Sequence, residues 1–148
     1  MCYNVPAMSR PKIELLLPPD YLKTATKAIN KAERRVCLIC LTMYRDKVTN
    51  HFIDALVDAA KRGVDVHVAA DFASFSLAVE HGSAIKSAVR EFRDGTGLSR
   101  EFRSAGATFR WLGRNYGTLF SARTHSKWLV VDDTVFTFGG VNTYHASV

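Results

Sequence analysis

The chain has 148 residues, enough for one domain with a core of its own. A hydrophobic content of 47% against 23% charged residues excludes a disordered chain, and no run approaches the roughly 18 apolar residues that a membrane-crossing helix needs. A net charge of +6 and a pI near 9.4 favour polyanionic partners without choosing between nucleic acid and an anionic membrane surface.

Residues 1–11 read as an irregular segment, because Pro6 and Pro11 oppose regular structure. The opening Met1 to Pro6 lacks the apolar core of a signal peptide, so a cytoplasmic protein, or one peripheral at a membrane, is expected. From residue 12 to 148 a single domain is expected. Ile13 to Leu17 reads as a first strand closed by Pro18-Pro19. Asp20 stands where a helix N-cap belongs, with Leu22, Ala25, Ala28, Ile29 and Ala32 at helical spacing behind it. Lys27, Lys31, Arg34 and Arg35 form its solvated basic flank. Val36 to Met43 is a near-continuous apolar run, the pattern of a strand covered on both sides. Cys37 and Cys40 lie within it at an odd separation, which sends the two thiols to opposite faces and marks them as structural rather than redox or zinc residues.

After Tyr44-Arg45-Asp46, the spacing of Phe52, Ile53, Leu56, Val57 and Ala60 predicts a helix stopped by Gly63. Val64, Val66, Val68 and Ala70 alternate with Asp65 and His67 as a further strand, which turns His67 outward. Asp71 closes that strand at its carboxyl end, where open α/β sheets collect functional groups. Ile85, Ala88, Val89 and Phe92 sit at helical spacing, Asp94-Gly95-Thr96-Gly97 breaks it, and Leu98 to Ala105 resumes it before Gly106. Arg90, Arg93, Arg100 and Arg103 read as a solvated face paired with Glu91 and Glu101, the alternative being a rim for phosphate. Ala107, Phe109 and Trp111 alternate as the next strand. The loop 114–123, with Tyr116, Leu119 and Phe120, then delivers the chain to His125. His51, His81 and His145 have no recognisable partners in the sequence. Strands alternating with helices predict a mixed, largely parallel sheet flanked by helices on both faces, an α/β fold.

The stretch that carries chemistry is Thr124-His125-Ser126-Lys127-Trp128-Leu129-Val130-Val131-Asp132, followed after a short hairpin by Gly139-Gly140-Val141-Asn142. On a strand from Ser126 to Val131 the two-residue period puts His125 and Lys127 on one face and turns Asp132 away, as a turn or supporting group. An imidazole can attack phosphorus to form a covalent phospho-histidine, and a neighbouring ammonium offsets charge on the non-bridging oxygens. Gly139-Gly140 leaves bare backbone and Asn142 an amide donor for a phosphate oxygen. This chemistry requires no metal and no cofactor.

With H-x-K-x4-D and a downstream G-G-x-N the chain resembles the phospholipase D superfamily. Ile13 to Asp71 resembles the opening half of a cardiolipin-synthase-type domain, including Ala-Ala-Lys-Arg-Gly-Val-Asp-Val-His-Val at Ala59 to Val68. The resemblance implies that His125, Lys127 and Asn142 belong to a catalytic centre supported by Asp132. It also implies that a second such motif completes the centre, from the same longer chain or from a homodimer partner, one histidine acting as nucleophile and the other protonating the leaving oxygen. The chain carries one motif and ends soon after Asn142, so a C-terminally incomplete half domain is expected. The expected activity is a phosphodiesterase or phosphatidyltransferase acting on phospholipid. The alternatives are a homodimeric endonuclease acting on nucleic acid and a non-catalytic phosphate-binding remnant.

Overall fold

A computed structural model of the chain describes residues 12–71, 96–113 and 125–137. Outside these fall the irregular reading of residues 1–11, the spacing from Ile85 to Phe92 with Arg90, Glu91 and Arg93, the loop 114–123, His81, His145, and Gly139, Gly140 and Asn142. The described elements are α1 (Pro18–Asn30), β1 (Arg35–Cys40), α2 (Asn50–Lys61), β2 (Asp65–Asp71), α3 (described over residues 96–104), β3 (Thr108–Leu112), β4 (Trp128–Val131) and β5 (Thr134–Thr137). They form one sheet in the order β3-β2-β1-β4-β5. β1, β2 and β3 run parallel, whereas β4 runs antiparallel to both β1 and β5. The expected mixed α/β architecture is present.

Local chemistry accounts for the helix limits. Leu17, extended at φ −73° and ψ 156°, is the N-cap of α1, and Pro18-Pro19 open the helix where a missing N–H costs nothing. Asp20 therefore lies within the first turn, not at the cap, where its charge still complements the helix dipole. Two further expectations are corrected. Ile13 to Leu17 pairs with no strand among the described residues, and Ile13 and Leu15 are more than nine-tenths exposed. Alternation alone does not make a strand when no sheet edge takes up its backbone groups. Thr96 and Gly97 lie inside α3 instead of breaking it, since buried Leu98 and Phe102 hold that helix by packing that outweighs glycine's poor propensity. α2 runs as its spacing predicts and is followed by Gly63 at φ +89°, a left-handed conformation that favours glycine.

One face of the sheet holds the core. Val36, Leu38, Val66, Val68, Phe109, Leu129 and Val131 alternate inward, and the described parts of all three helices pack over them with Ile29, Phe52, Ile53, Leu56 and Phe102. Burying each large side chain contributes about 1.5–3 kcal/mol before the entropy of ordering is counted. Phe102 stacks on Phe109 at 5.9 Å, and Tyr21 of α1 meets Phe136 of β5 edge to face at 6.0 Å. On β1 the burial alternates, with Arg35 and Ile39 exposed and Cys37 half-buried. The apolar run from Val36 is thus a strand buried on one face among the described residues, since its odd positions also happen to be apolar. Cys37 and Cys40 do point to opposite faces.

The antiparallel pairing decides where chemistry gathers. Because β4 runs against β1, the residues that precede β4 arrive at the carboxyl ends of β1 and β2.

Candidate active site at the carboxyl end of the sheet

Val36 pairs with Val131 and Leu38 with Leu129; carried two residues further, the same register sets Cys40 opposite Lys127. Lys127 thereby joins the inward face with Leu129 and Val131. It is only 4% exposed, while His125, two residues earlier, is exposed. The ammonium Nζ stands 3.3 Å from His125 Nδ1 and 3.1 Å from the His125 carbonyl oxygen, to which it donates. The two side chains that the spacing put on one face therefore meet. A lysine ammonium can only donate, so Nδ1 accepts and the neutral ring carries its proton on Nε2. Among the described residues no carboxylate pairs with Lys127. A buried cation without a counter-charge is costly, and an anion beside it would relieve that cost.

The neighbouring groups are not charge partners. Cys40 is buried and its Sγ lies 3.8 Å from the Ala69 carbonyl oxygen; burial pushes its thiol up to about 12, although Lys127 pulls the other way. The thiol is thus neutral and leaves the ammonium's charge uncancelled. Asp71 closes β2 and is fully buried, and its position in the strand alternation turns it to the face opposite Ala70. His67 is exposed and pairs with Asp65 at 2.8 Å, as its outward reading requires.

Asp132 does something else. At about 3.3 Å per residue it stands roughly 16 Å along the strand from Lys127. It occupies the β4–β5 turn at φ +49°, where its Oδ1 accepts from the backbone N–H groups of Arg34 (2.9 Å) and Arg35 (3.0 Å) and its Oδ2 from that of Glu33 (3.1 Å). The N–H groups of Arg35, Glu33 and Arg34 hold its carboxyl below the usual range. Grouped with the catalytic residues by its motif, Asp132 is placed as the clamp that fixes the β4–β5 hairpin to the entry of β1. Arg34 joins that clamp through Asp133, and Arg35 through the Asp132 carbonyl at 3.3 Å, so neither is simply a flank of α1.

Beyond β1 the chain leads into a cleft of about 370 Å³ lined by Met43, Tyr44, Arg45, Gly97, Leu98, Arg100 and Glu101. The loop beside it is locked by Asp46, whose Oδ1 accepts from the N–H groups of Val48 (2.8 Å) and Thr49 (2.9 Å). Arg45 bridges Asp54 of α2 at 2.7 Å and Glu101 of α3. Burial works against its charge, yet the ion pairs with Glu101 and Asp54 outweigh burial and raise its affinity for the proton. Glu101 thus pairs with Arg45 and not with its helix neighbours. Arg103 lies over the Phe109 ring and donates to the Phe109 carbonyl oxygen at 3.2 Å, and Arg100 donates to the Thr96 carbonyl oxygen at 3.4 Å. Neither Cys40 nor Arg45 stands out in the sequence as a residue of this end of the sheet. No group of three His, Cys, Asp or Glu residues among the described residues could hold a metal ion.

The family model of the cardiolipin synthase, PLD-like domain matches residues 25–148. No curated protein matches the chain. Among solved structures, Nuc of Salmonella typhimurium, a phospholipase D family member, superposes with a TM-score of 0.53 at 21% identity, over 84% of this chain and 66% of that one. Polyphosphate kinase of Porphyromonas gingivalis superposes with a TM-score of 0.48 at 16% identity, over 76% of this chain and 15% of that one, too loosely to carry an argument. The chain therefore spans somewhat less than two thirds of the length of Nuc. The likeness to Nuc establishes a shared fold, and the family model, which takes in both β4 and the Gly139 to Asn142 stretch, goes further: this chain belongs to the phospholipase D superfamily and carries its cardiolipin synthase, PLD-like domain.

Proposed function

We propose that this chain contributes one half of a phosphodiester-transfer centre of the phospholipase D type, acting on phospholipid as a phosphatidyltransferase. The observation that carries the reading is Lys127: a residue only 4% exposed, unpaired with any carboxylate among the described residues, its ammonium 3.3 Å from the ring of an exposed histidine. A phosphoryl group is the anion whose chemistry uses both. Its non-bridging oxygens draw the Lys127 ammonium away from His125 Nδ1, the ring proton moves to Nδ1, and the Nε2 lone pair is free to attack phosphorus. The bond from phosphorus to the leaving oxygen breaks, and that oxygen takes its proton from the histidine of a second motif, in the same longer chain or a homodimer partner. An alcohol or water then displaces the histidine. Where the second half holds the nucleophile, the same pair serves with His125 as the acid, its Nε2 proton already in place. Asn142 and the Gly139-Gly140 backbone are further phosphate ligands in this reading, and Asp132 is a positioning residue. The basic net charge supports peripheral contact with an anionic membrane from the cytoplasmic side, and no described helix is long and apolar enough to cross a membrane.

The test is to incubate the protein with phosphatidylglycerol vesicles and, separately, with duplex and single-stranded DNA. Cardiolipin and glycerol in equal amounts, lost in His125→Ala, are expected. Cleavage of DNA without any change to phosphatidylglycerol would replace the lipid substrate by nucleic acid. Inertness toward both, alone and after a second such motif is supplied in trans, would leave a phosphate-binding remnant.

A further inference from the structure

Thr42 lies at the same end of the sheet as the histidine–lysine pair. It is 8% exposed, and its Oγ1 is wholly removed from solvent with no hydrogen-bond partner among the described residues. Thr42 follows Cys40, the last residue of β1, by two positions, at the end of the strand where the residues preceding β4 arrive. Folding rarely leaves a buried hydroxyl unsatisfied, because desolvating it gains nothing unless some acceptor or donor meets it. An apolar residue of the same shape, valine, would suit the flanking run Val36 to Met43 better. At this end of the sheet lie a buried lysine and a buried hydroxyl for which the described residues supply neither a carboxylate nor a hydrogen-bond partner, respectively, and beside the lysine ammonium an exposed imidazole.

We propose that the Thr42 hydroxyl is a ligand of the phosphoryl group, donating to a non-bridging oxygen from the β1 side while Lys127 approaches from β4. The inference rests on the phosphoryl-binding reading of His125 and Lys127 and adds a ligand that neither sequence motif contains. A hydroxyl is suited to this because it carries no charge to be desolvated when the site is empty and still supplies a hydrogen bond to an anion when it is filled. The cleft lining begins at the next residue, Met43.

The test uses tungstate as a phosphoryl mimic, titrated into the full chain by calorimetry, with thermal unfolding measured on the same samples. Thr42→Val is expected to weaken tungstate binding about tenfold or more while the melting temperature stays level or rises, and Thr42→Ser to bind within a few-fold of the wild type. That opposition separates a ligand from a packing residue, whose replacement lowers stability and binding together. As a check that needs no mutation, the Thr42 methyl resonance of the wild-type chain should shift on titration with the same midpoint as the His125 ring. Wild-type affinity in Thr42→Val, or a Thr42 methyl that stays still while tungstate binds, overturns the proposal. Lys127→Met distinguishes a failure of Thr42 alone from a failure of the phosphoryl site. If it abolishes binding and Thr42→Val does not, the role of Thr42 falls alone. If Lys127→Met binds tungstate as the wild type does, or the wild type binds none, the phosphoryl-binding reading falls and Thr42 with it.

Discussion

The ammonium of Lys127 lies 3.3 Å from Nδ1 of His125, yet the lysine is almost wholly buried and the histidine is exposed. The pair is therefore a cation set behind an imidazole, facing outward at the carboxyl ends of β1 and β2. Charge held in a site with little water acts more strongly on an anion than the same charge at a surface.

Placing that cation inside costs stability that function alone recovers. Lys127→Met keeps the length of the side chain and removes the desolvated charge. It should leave the fold level or raise its stability by about 1–2 kcal/mol, while lowering turnover at least about a hundredfold. Chemical denaturation and initial rates on one preparation check both halves; loss of stability with retained turnover would reverse the assignment.

Asp132 should make itself felt in acid. Its carboxyl is held below the ordinary value of 3.8 by N–H groups of Arg35, Glu33 and Arg34, so its contribution is full above that value and is lost as pH falls through the lower folded-state value. Asn tolerates the positive φ of Asp132 but accepts with one oxygen and carries no charge. Asp132→Asn should destabilise the protein at neutral pH and flatten the loss of stability below about pH 4. Melting temperatures from pH 7 to pH 2.5 in both proteins measure this, and parallel curves would remove the clamp from the account.

Much of this arrangement is legible in the sequence. The spacing of Phe52, Ile53 and Leu56 gives α2, the alternation from Val64 gives β2, and two-residue periodicity alone unites His125 with Lys127 and sends Asp132 elsewhere. What escapes is whatever depends on a partner distant in sequence. Ile13 to Leu17 has a strand's pattern but no described strand to join. The acceptor role of Asp132 lies with residues some hundred positions earlier, at Glu33 to Arg35. The burial of Lys127 follows from β4 lying against β1 beneath the helices, and no local rule announces that a lysine at the start of a strand will face a core. Thr42 becomes visible only once its hydroxyl is seen to be enclosed.

Arg45 joins the loop after β1 to Asp54 of α2 and Glu101 of α3. All three side chains are at least a third exposed, so solvent screening holds the network to about 1 kcal/mol. Arg45→Met should lower stability by that amount in dilute buffer and by less in about 1 M salt, where the Debye length is roughly 3 Å. An undiminished effect in salt would mean that packing, not charge, carries it.

Cys40 and Cys37 should differ in reactivity despite their closeness. The Cys40 thiol is buried and pushed up to about 12, whereas Cys37 is half-buried on the other face. At pH 8 iodoacetamide should modify Cys37 in the native protein and reach Cys40 only on unfolding. Peptide mass mapping after timed labelling decides it, with equal labelling of the two as the contrary result.

The most direct measurement follows the imidazole nitrogens of His125 by 15N NMR while tungstate is titrated into the chain. Both ring nitrogens should shift along one saturable curve as Nδ1 loses the Lys127 hydrogen bond to the anion, and the curve should vanish in Lys127→Met. Ring nitrogens that stay fixed across the titration would contradict the convergence of this histidine and this lysine on a single phosphoryl group.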